Sequence, residues 1–254
     1  MSDQQAPPTL EDRAAEFADE LTATVSGALG ACAVPFVAEA SPVTSGATRR
    51  VSVHTEESNA IALTIGGEHC LSLVVEFECA WDHAEHYLAV RRGSFKVETA
   101  EKSAPLFRYE FVDAINDSVP SAHLHIHAHR DEFLFALFRA GHGKPAIRAK
   151  AVTGEVKRAR PQLSDVHFPL GGPRMRPCLE DVLQMLRVEL GVDVEAEFQD
   201  VIDQGRARWR RRQLAAAVRD SPETASQVLR ELGYSVDVPP GGPAPERIDK
   251  LTRI

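Results

Sequence analysis

Histidine alternates with apolar residues in the segment Ser121-Ala122-His123-Leu124-His125-Ile126-His127-Ala128-His129-Arg130. Successive side chains of a β-strand point to opposite faces of the sheet, so this period of two predicts a strand. We expect the four histidines to form one row on one face, with Leu124 and Ile126 buried behind them. Neighbours in such a row lie roughly 6.5–7 Å apart along the strand, which suits a shared metal ion or phosphate group.

The residues before this strand are also β-rich. Short apolar or alternating runs are separated by turn residues such as Gly66-Gly67, and they cover residues 50–54, 60–65, 70–79, 85–98 and 106–113. Connections this short join antiparallel strands, because a parallel crossover needs a dozen residues or more. The sequence therefore predicts an antiparallel sheet of five or six strands that ends with the histidine strand.

Helical periodicity flanks the sheet on both sides. Leu10–Leu29 has apolar residues every three or four positions, which predicts an amphipathic helix with an acidic exposed face. After the histidine strand, the apolar segment Phe133–Phe138 is preceded by two acids and followed by Gly141. These are the start and stop signals of a helix, and its apolar character predicts that it is buried.

The C-terminal part has the pattern of three more helices. The first has an apolar face from Leu179 to Leu190 and ends at Gly191, and the second runs over Glu195–Asp220. The last has Ser221 as N-cap, Pro222 as its first residue and Gly233 as its end, and its predicted buried face is Ala225, Val228, Leu229 and Leu232.

These patterns predict an α+β protein with an N-terminal helix, an antiparallel sheet and a helical C-terminal part. Residues 10–142 are expected to form the helix, the sheet and the buried helix. Residues 143–164 are expected to be a basic loop or linker, and residues 165–238 the helical part. Residues 239–254 are rich in Pro and Gly, which predicts a flexible tail.

Composition narrows the class of protein. The chain has 254 residues, 43% of them hydrophobic, and a formal net charge of −8, which does not suit nucleic acid or an anionic membrane surface. No apolar run approaches the length of a transmembrane helix, and Met1–Glu11 carries acids where a signal peptide would carry bases. The four cysteines form no CxxC pair and are expected to stay reduced. A cytoplasmic protein is expected.

The histidine strand resembles the motif of the histidine-triad hydrolases, in which three histidines alternate with apolar residues. His123-Leu124-His125-Ile126-His127-Ala128 matches six positions of that motif, and His129 stands where the family has an apolar residue. The resemblance implies that His125 is a nucleophile that attacks a nucleotide phosphate. It also implies that His123 and His127 orient this nucleophile and bind phosphate oxygens.

The same strand resembles half of a cupin metal site, in which His-x-His is followed by Glu. His125, His127 and Glu132 have that order, and the resemblance implies a metal site at His125 and His127, with Zn²⁺ or Mn²⁺ as candidate ions. The alternative is a structural role, since alternating polar and apolar residues are ordinary for a sheet with one polar face.

A second candidate site is the segment Gly171-Gly172-Pro173-Arg174-Met175-Arg176, which precedes a predicted helix and follows His167. Backbone N–H groups and two guanidinium groups at this place can bind an anion, with His167, Arg174 and Arg176 as its side-chain ligands. The alternative is a tight turn whose arginines pair with acids such as Glu180 or Asp181.

The cluster of five arginines around Trp209 is the third candidate. Arg206, Arg208, Arg210, Arg211 and Arg212 belong to one predicted helix. We favour a solvated helix face that pairs with the acidic N-terminal helix over a nucleic-acid surface.

Over residues 120–237 the chain resembles a bacterial protein family without an assigned activity. The segments that carry this resemblance are AHLHIHAHRDEF (122–133), HFPLGGPRMRPCLEDVLQML (167–186) and AAAVRDSPETASQVLRELGY (215–234). It implies that the histidine strand and the Gly-Pro-Arg segment belong to one module. We also predict that residues 165–177 fold over the histidine row, because residues 142–164 are long enough to cross the sheet and the segment carries His167 and fixed positive charge.

Two functions follow from these patterns. The favoured one is a non-catalytic interaction or regulatory protein that works with a neighbouring protein. The alternative is a histidine-dependent phosphoester or nucleotide hydrolase or transferase, or a metal-binding enzyme, that acts on a phosphorylated small molecule.

Overall fold

The computed structural model contains one large antiparallel sheet with helices packed against one of its faces. The structure describes residues 7–30, 34–40, 48–82, 85, 87–100, 105–113, 119–127, 168–170 and 174–253. Several predicted features lie outside these residues: the buried helix after the histidine strand, the basic segment 143–164, His129, Glu132, His167 and residues 171–173.

The N-terminal helix α1 spans Leu10–Leu29, as predicted. Its first turn is closed by a capping box, in which the Asp12 backbone N–H donates to the Thr9 hydroxyl and the Thr9 backbone N–H donates to the Asp12 carboxylate. The apolar stripe is buried against the sheet and against a C-terminal helix. The capping residues and the apolar stripe therefore both favour a helix at this place.

The described residues form eight strands. They are β1 (Phe36–Ala40), β2 (Val51–Thr55), β3 (Ile61–Ile65), β4 (Glu68–Trp81), β5 (Leu88–Thr99), β6 (Phe107–Val112), β7 (Ala122–Ile126) and β8 (Phe168–Pro169). All pairs are antiparallel, in the order β1-β2-β4-β5-β6-β7-β8, with β3 beside β4. The predicted α+β class is confirmed, and all six expected strands are present. Strand β1 and the two-residue β8 were not predicted from the sequence.

The long strand β4 is the centre of the sheet. It pairs with β5 along one edge, whereas its other edge pairs first with β3 and then with β2. Alternation along β4 places Leu73, Val75 and Phe77 in the hydrophobic core and Glu76 on the opposite, polar face. Residues opposite each other in paired strands lie on the same face of the sheet, so β5, β6 and β7 also have one apolar and one polar side.

The C-terminal helices are α2 (Leu179–Leu190), α3 (Phe198–Asp220), α4 (Pro222–Glu231) and α5 (Ile248–Leu251). Gly191 ends α2 with a left-handed φ of 71°, which is the predicted glycine stop. Buried residues of α2 and α3 belong to the same hydrophobic core as α1 and the sheet. The predicted helical part therefore shares one core with the predicted N-terminal part.

The burial predicted for the last helix of the C-terminal part is wrong. Helix α4 buries none of its residues, although Val228 and Leu229 were expected to be in the core. A periodic apolar stripe specifies which face of a helix is apolar, but not that another element covers it. The predicted flexible tail contains α5, which is held against the end of β6 by ion pairs from Lys250 and Arg253 to Asp113.

Candidate metal centre on the histidine strand

Strand β7 presents its histidines beside an acid of the neighbouring strand. In the register of β6 and β7, Glu110 is opposite His123 and Arg108 is opposite His125. Residues two apart in a strand share a face, so these four side chains lie together on the polar side of the sheet. The predicted common face is therefore confirmed for His123 and His125.

The burial predicted for this strand is wrong. His123 and His125 are buried, with 2% and 6% exposure, whereas Leu124 and Ile126 are only half-buried. Leu124 and Ile126 do lie on the apolar side, opposite Tyr109 and Phe107. Within the described part of the chain, however, the main core cluster includes no residue of β7. Strand β7 is thus at the border of the core, and its polar side is the better protected one.

Three side chains converge on one oxygen atom of Glu110. The Oε2 atom lies 2.8 Å from His125 Nε2, 3.3 Å from His123 Nε2 and 3.0 Å from Arg108 Nη2. The two imidazole rings contact each other edge to face, with centroids 4.9 Å apart. The result is a compact polar cluster whose centre is a carboxylate rather than a histidine.

The orientation of His123 determines which nitrogen faces Glu110. Its Nδ1 lies 2.8 Å from the Pro120 carbonyl oxygen, which can only accept a hydrogen bond, so Nδ1 carries a proton. In a neutral ring the Nε2 atom then has a lone pair, and this lone pair points at a carboxylate oxygen. The 3.3 Å between this nitrogen and the carboxylate oxygen can hold either a proton, as in a hydrogen bond from a doubly protonated ring, or a metal ion.

The electrostatics of the cluster favour the charged carboxylate. Burial alone would raise the pKa of Glu110, but the hydrogen bonds from His123 and His125 and the charge of Arg108 hold it well below the usual range. Burial lowers the pKa of His127, and the nearby charges of Arg108 and His125 lower it further. Glu110 is therefore an anion over the whole physiological pH range.

Two imidazoles and a carboxylate are a donor set that Zn²⁺ and Mn²⁺ accept. Ligand atoms bound to one such ion at about 2.1 Å lie roughly 3.0–3.4 Å from each other. The Glu110 oxygen and the His123 nitrogen have this separation, and the three ligand atoms of Glu110, His123 and His125 all lie within 4.8 Å of one another. The Pro120 carbonyl supplies the outer contact that orients metal-binding histidines. The guanidinium of Arg108 competes for the same oxygen and would have to shift.

The site differs from the one that the sequence predicted. His123 and His125 come together with Glu110, whereas His127 follows the end of β7 and does not join the group. Glu110 was missed, although its alternation with Tyr109 and Phe111 indicates that it lies on the polar face of the preceding strand. His129, Glu132 and His167 lie outside the described residues.

Arg174 and Arg176 lie on the other side of the sheet. The Arg176 guanidinium covers the ring of Phe111 at 3.7 Å, and Phe111 points away from the Glu110 face. Arg174 forms two hydrogen bonds with Asp220, at 2.6 and 3.0 Å. These two arginines therefore do not complete the histidine site, and the predicted fold of this segment over the histidine row is wrong for them.

The arginine cluster around Trp209 pairs with acids, as favoured from the sequence. Arg212 forms an ion pair with Glu20 of α1 at 2.5 Å, and Arg206 contacts Asp181 of α2 at 2.8 Å. This cluster ties α3 to its neighbouring helices.

Comparisons of the chain with protein-family models, curated proteins and solved structures returned no match. Among the helices of the described residues, none has the length and apolar character needed to cross a bilayer.

Proposed function

We propose that this protein binds a divalent metal ion, Zn²⁺ or Mn²⁺, through Glu110, His123 and His125, and that the ion has a structural or regulatory role. The observation that supports this proposal is the convergence of both Nε2 atoms on one carboxylate oxygen. The three ligand atoms already lie within 4.8 Å of one another, so a cation at this place would need little rearrangement of the side chains.

A non-catalytic role fits the burial of the ligands. Catalytic metal ions keep an open coordination position that substrate can reach, whereas structural ions are enclosed. His123 and His125 are both buried, and neither lines the cavity of about 430 Å³ on the opposite side of the sheet. The proposed ion would fasten β7 to β6.

The competing proposal is phosphoryl transfer with His125 as nucleophile. The Nε2 atom of His125 is 2.8 Å from the Glu110 carboxylate, and a phosphate at that nitrogen would meet another anion. The metal proposal and the hydrolase proposal differ in what Glu110 does. It is a ligand in the first and an obstacle to substrate in the second.

Metal titration of the purified protein tests the proposal. After chelation and dialysis, isothermal titration with Zn²⁺ and Mn²⁺ should show one ion bound per chain. Glu110→Gln and His125→Ala should each weaken binding at least about tenfold. The matched control is His69→Ala, an exposed histidine on β4, which should bind as the original protein does.

Two results would overturn the metal proposal. One is no binding of either ion, and the other is equal binding by Glu110→Gln and the original protein. If Glu110→Gln instead gains hydrolysis of a nucleotide substrate and His125→Ala removes it, the phosphoryl-transfer proposal replaces the metal one.

A separate observation supports the interaction function predicted from the sequence. Helices α3 and α4 and the residue that follows α4 expose several large apolar side chains, namely Leu214, Val218, Val228, Leu229 and Leu232. Contiguous exposed apolar residues mark interaction surfaces. A ten-residue helix without buried residues gains little stability by itself, so we propose that a second copy of the chain covers α4.

The oligomeric state tests this second proposal. Light scattering after size exclusion, over a series of protein concentrations, should show a dimer that Leu229→Ser dissociates. A monomer at every concentration would reject the second copy as partner.

We also propose a cytoplasmic location. The described cysteines Cys70, Cys79 and Cys178 are all free thiols, as expected in a reducing compartment.

A further inference from the structure

A cavity of about 430 Å³ lies on the helix-covered side of the sheet, away from the histidines. Its walls come from α1, the start of β5, the end of β6, α3 and α5, together with Arg174 and Arg176. Small-molecule sites in proteins are typically clefts of about 300–1,000 Å³. The cavity is therefore large enough for an organic ligand rather than a few water molecules.

The charge of this cavity opposes that of the whole chain. Seven arginines and one lysine line it against four acids, whereas the formal net charge of the protein is −8. Asp113 alone faces three cations: Arg91 and Arg253, each at 2.7 Å, and Lys250. Burial would raise the pKa of Asp113, but the contacts with Lys250 and Arg91 lower it to about 2. This end of the cavity thus keeps an excess of positive charge.

Arg176 brings positive charge onto an aromatic wall. Its guanidinium lies between the rings of Phe111, at 3.7 Å, and Trp209, at 5.0 Å. Burial, followed by the charge of neighbouring Arg174, lowers the pKa of Arg176 to about 9. Asp113 acts in the opposite direction and raises this pKa, and a bound anion would act in the same direction as Asp113.

Flat apolar surface accompanies the charge. Trp209, Phe111 and Tyr87 all line the cavity, and the Arg219 guanidinium stacks over the ring of Tyr87. Aromatic rings and guanidinium planes are the surfaces on which nucleobases and similar rings stack. Arginine is also the side chain best suited to bind phosphate through paired hydrogen bonds.

We propose that this cavity binds a small organic phosphate that carries an aromatic ring, of the size of a nucleoside monophosphate. The cationic groups bind the phosphate, and the aromatic residues stack on the ring. This proposal is independent of the metal site, because no residue of the histidine cluster lines the cavity.

The fluorescence of Trp209 can be used to measure binding directly. This residue is one of two tryptophans in the chain and lines the cavity, so a stacked ring should quench its fluorescence. We would titrate the full-length protein with adenosine monophosphate, with adenosine and with inorganic phosphate. Adenosine monophosphate should bind at least about tenfold more tightly than either part, because only it engages both surfaces.

Three variants test the location of the site. Arg176→Gln and Arg219→Gln each remove one cavity charge and should weaken adenosine monophosphate binding at least about fivefold. Arg210→Gln, on the exposed side of the same helix α3, should leave binding unchanged. Arg219 is exposed and its side chain bonds only within α3 and to Tyr87 among the described contacts, so Arg219→Gln should fold even if Arg176→Gln does not.

Any of three results would overturn the proposal. The first is the lack of response to adenosine monophosphate at millimolar concentration. The second is equal binding of inorganic phosphate and adenosine monophosphate, which would mean a simple anion site. The third is that Arg210→Gln loses binding while Arg219→Gln keeps it, which would place the ligand elsewhere.

Discussion

At the scale of single residues, Glu110 controls the histidine strand. It receives both histidines and Arg108 on one oxygen atom, and its carboxylate is therefore the group whose charge matters most there. The sequence predicted the histidines because their alternation is strict. It did not identify Glu110, because the residues opposite each other depend on the register of β6 and β7. The connection over residues 113–121 is too long for a tight turn to fix that register.

The first prediction concerns acid unfolding without metal. The folded pKa of Glu110 is lowered, so its contribution to stability is present above the unfolded value of about 4.3 and is lost as pH falls below it. We expect Glu110→Gln to be less stable at neutral pH and to lose less free energy of unfolding between about pH 5 and pH 3. Urea titrations over this pH range measure both effects.

The control for this prediction is Glu76→Gln. Glu76 is an exposed acid on the same polar face of the sheet, and its replacement should leave the pH dependence nearly unchanged. If the free energy of unfolding changes with pH in the same way in Glu110→Gln and in the original protein, Glu110 is not a stabilising anion.

At the scale of elements, α5 depends on Asp113 at the end of β6. Lys250 and Arg253 both contact this carboxylate, which Arg91 of β5 also contacts. We expect Asp113→Asn to release α5, with faster hydrogen exchange of its amides and a loss of about 1–3 kcal/mol in the free energy of unfolding. The comparison variant is Asp249→Asn, which removes a more exposed acid of the same helix and should cost at most about 1 kcal/mol. Equal exchange in both variants would contradict the anchoring role.

Helix α4 shows what periodicity can and cannot predict. The bounds of α1 and the glycine stop of α2 were predicted correctly, because caps and periodic patterns are local signals. The buried face of α4 was predicted from the same kind of pattern and is exposed. Burial is a property of the packed molecule, and a pattern within ten residues does not contain it.

The next prediction compares two leucines on helices. Leu186 of α2 has no exposed surface, whereas Leu229 of α4 is 40% exposed. Leu186→Ala should therefore cost about 2–5 kcal/mol of unfolding free energy, and Leu229→Ala should stay within roughly 0.5 kcal/mol at low protein concentration. Chemical denaturation of both variants measures the difference. A large cost for Leu229→Ala in dilute protein would mean that α4 is covered within one chain.

At the scale of the whole molecule, the sheet and its helices follow from the sequence far better than the cavity does. Six strands can be read from runs of residues that are consecutive in the chain. The charged residues of the cavity come from α1, β5, β6, α3 and α5, and from Arg174 and Arg176. These are far apart in the chain, so no pattern within a short segment predicts the cavity. The negative net charge of the chain even points away from an anion site.

The last prediction links the metal ion to global stability. An ion that binds only the folded chain raises the free energy of unfolding by about 2.7 kcal/mol at a concentration one hundred times its dissociation constant. We expect thermal unfolding to shift upward with Zn²⁺ or Mn²⁺ and to return on addition of a chelator. Glu110→Gln, with binding at least about tenfold weaker, should show at most about half of this shift at the same ion concentration, and the exposed-site variant His69→Ala should show all of it. A shift of equal size in Glu110→Gln would assign the stabilisation to another site.

The ion pair between Glu20 and Arg212 joins residues that are 192 positions apart. The strands from β4 to β7 pair with their neighbours in the chain and can assemble while synthesis continues. The side of α1 that contacts α3 has no such local partner. At about 5–20 residues per second, α1 leaves the ribosome roughly 10–40 s before α3 does. During that time a chaperone can bind the uncovered side of α1. Folding is complete only when α3 takes the place of the chaperone on that side.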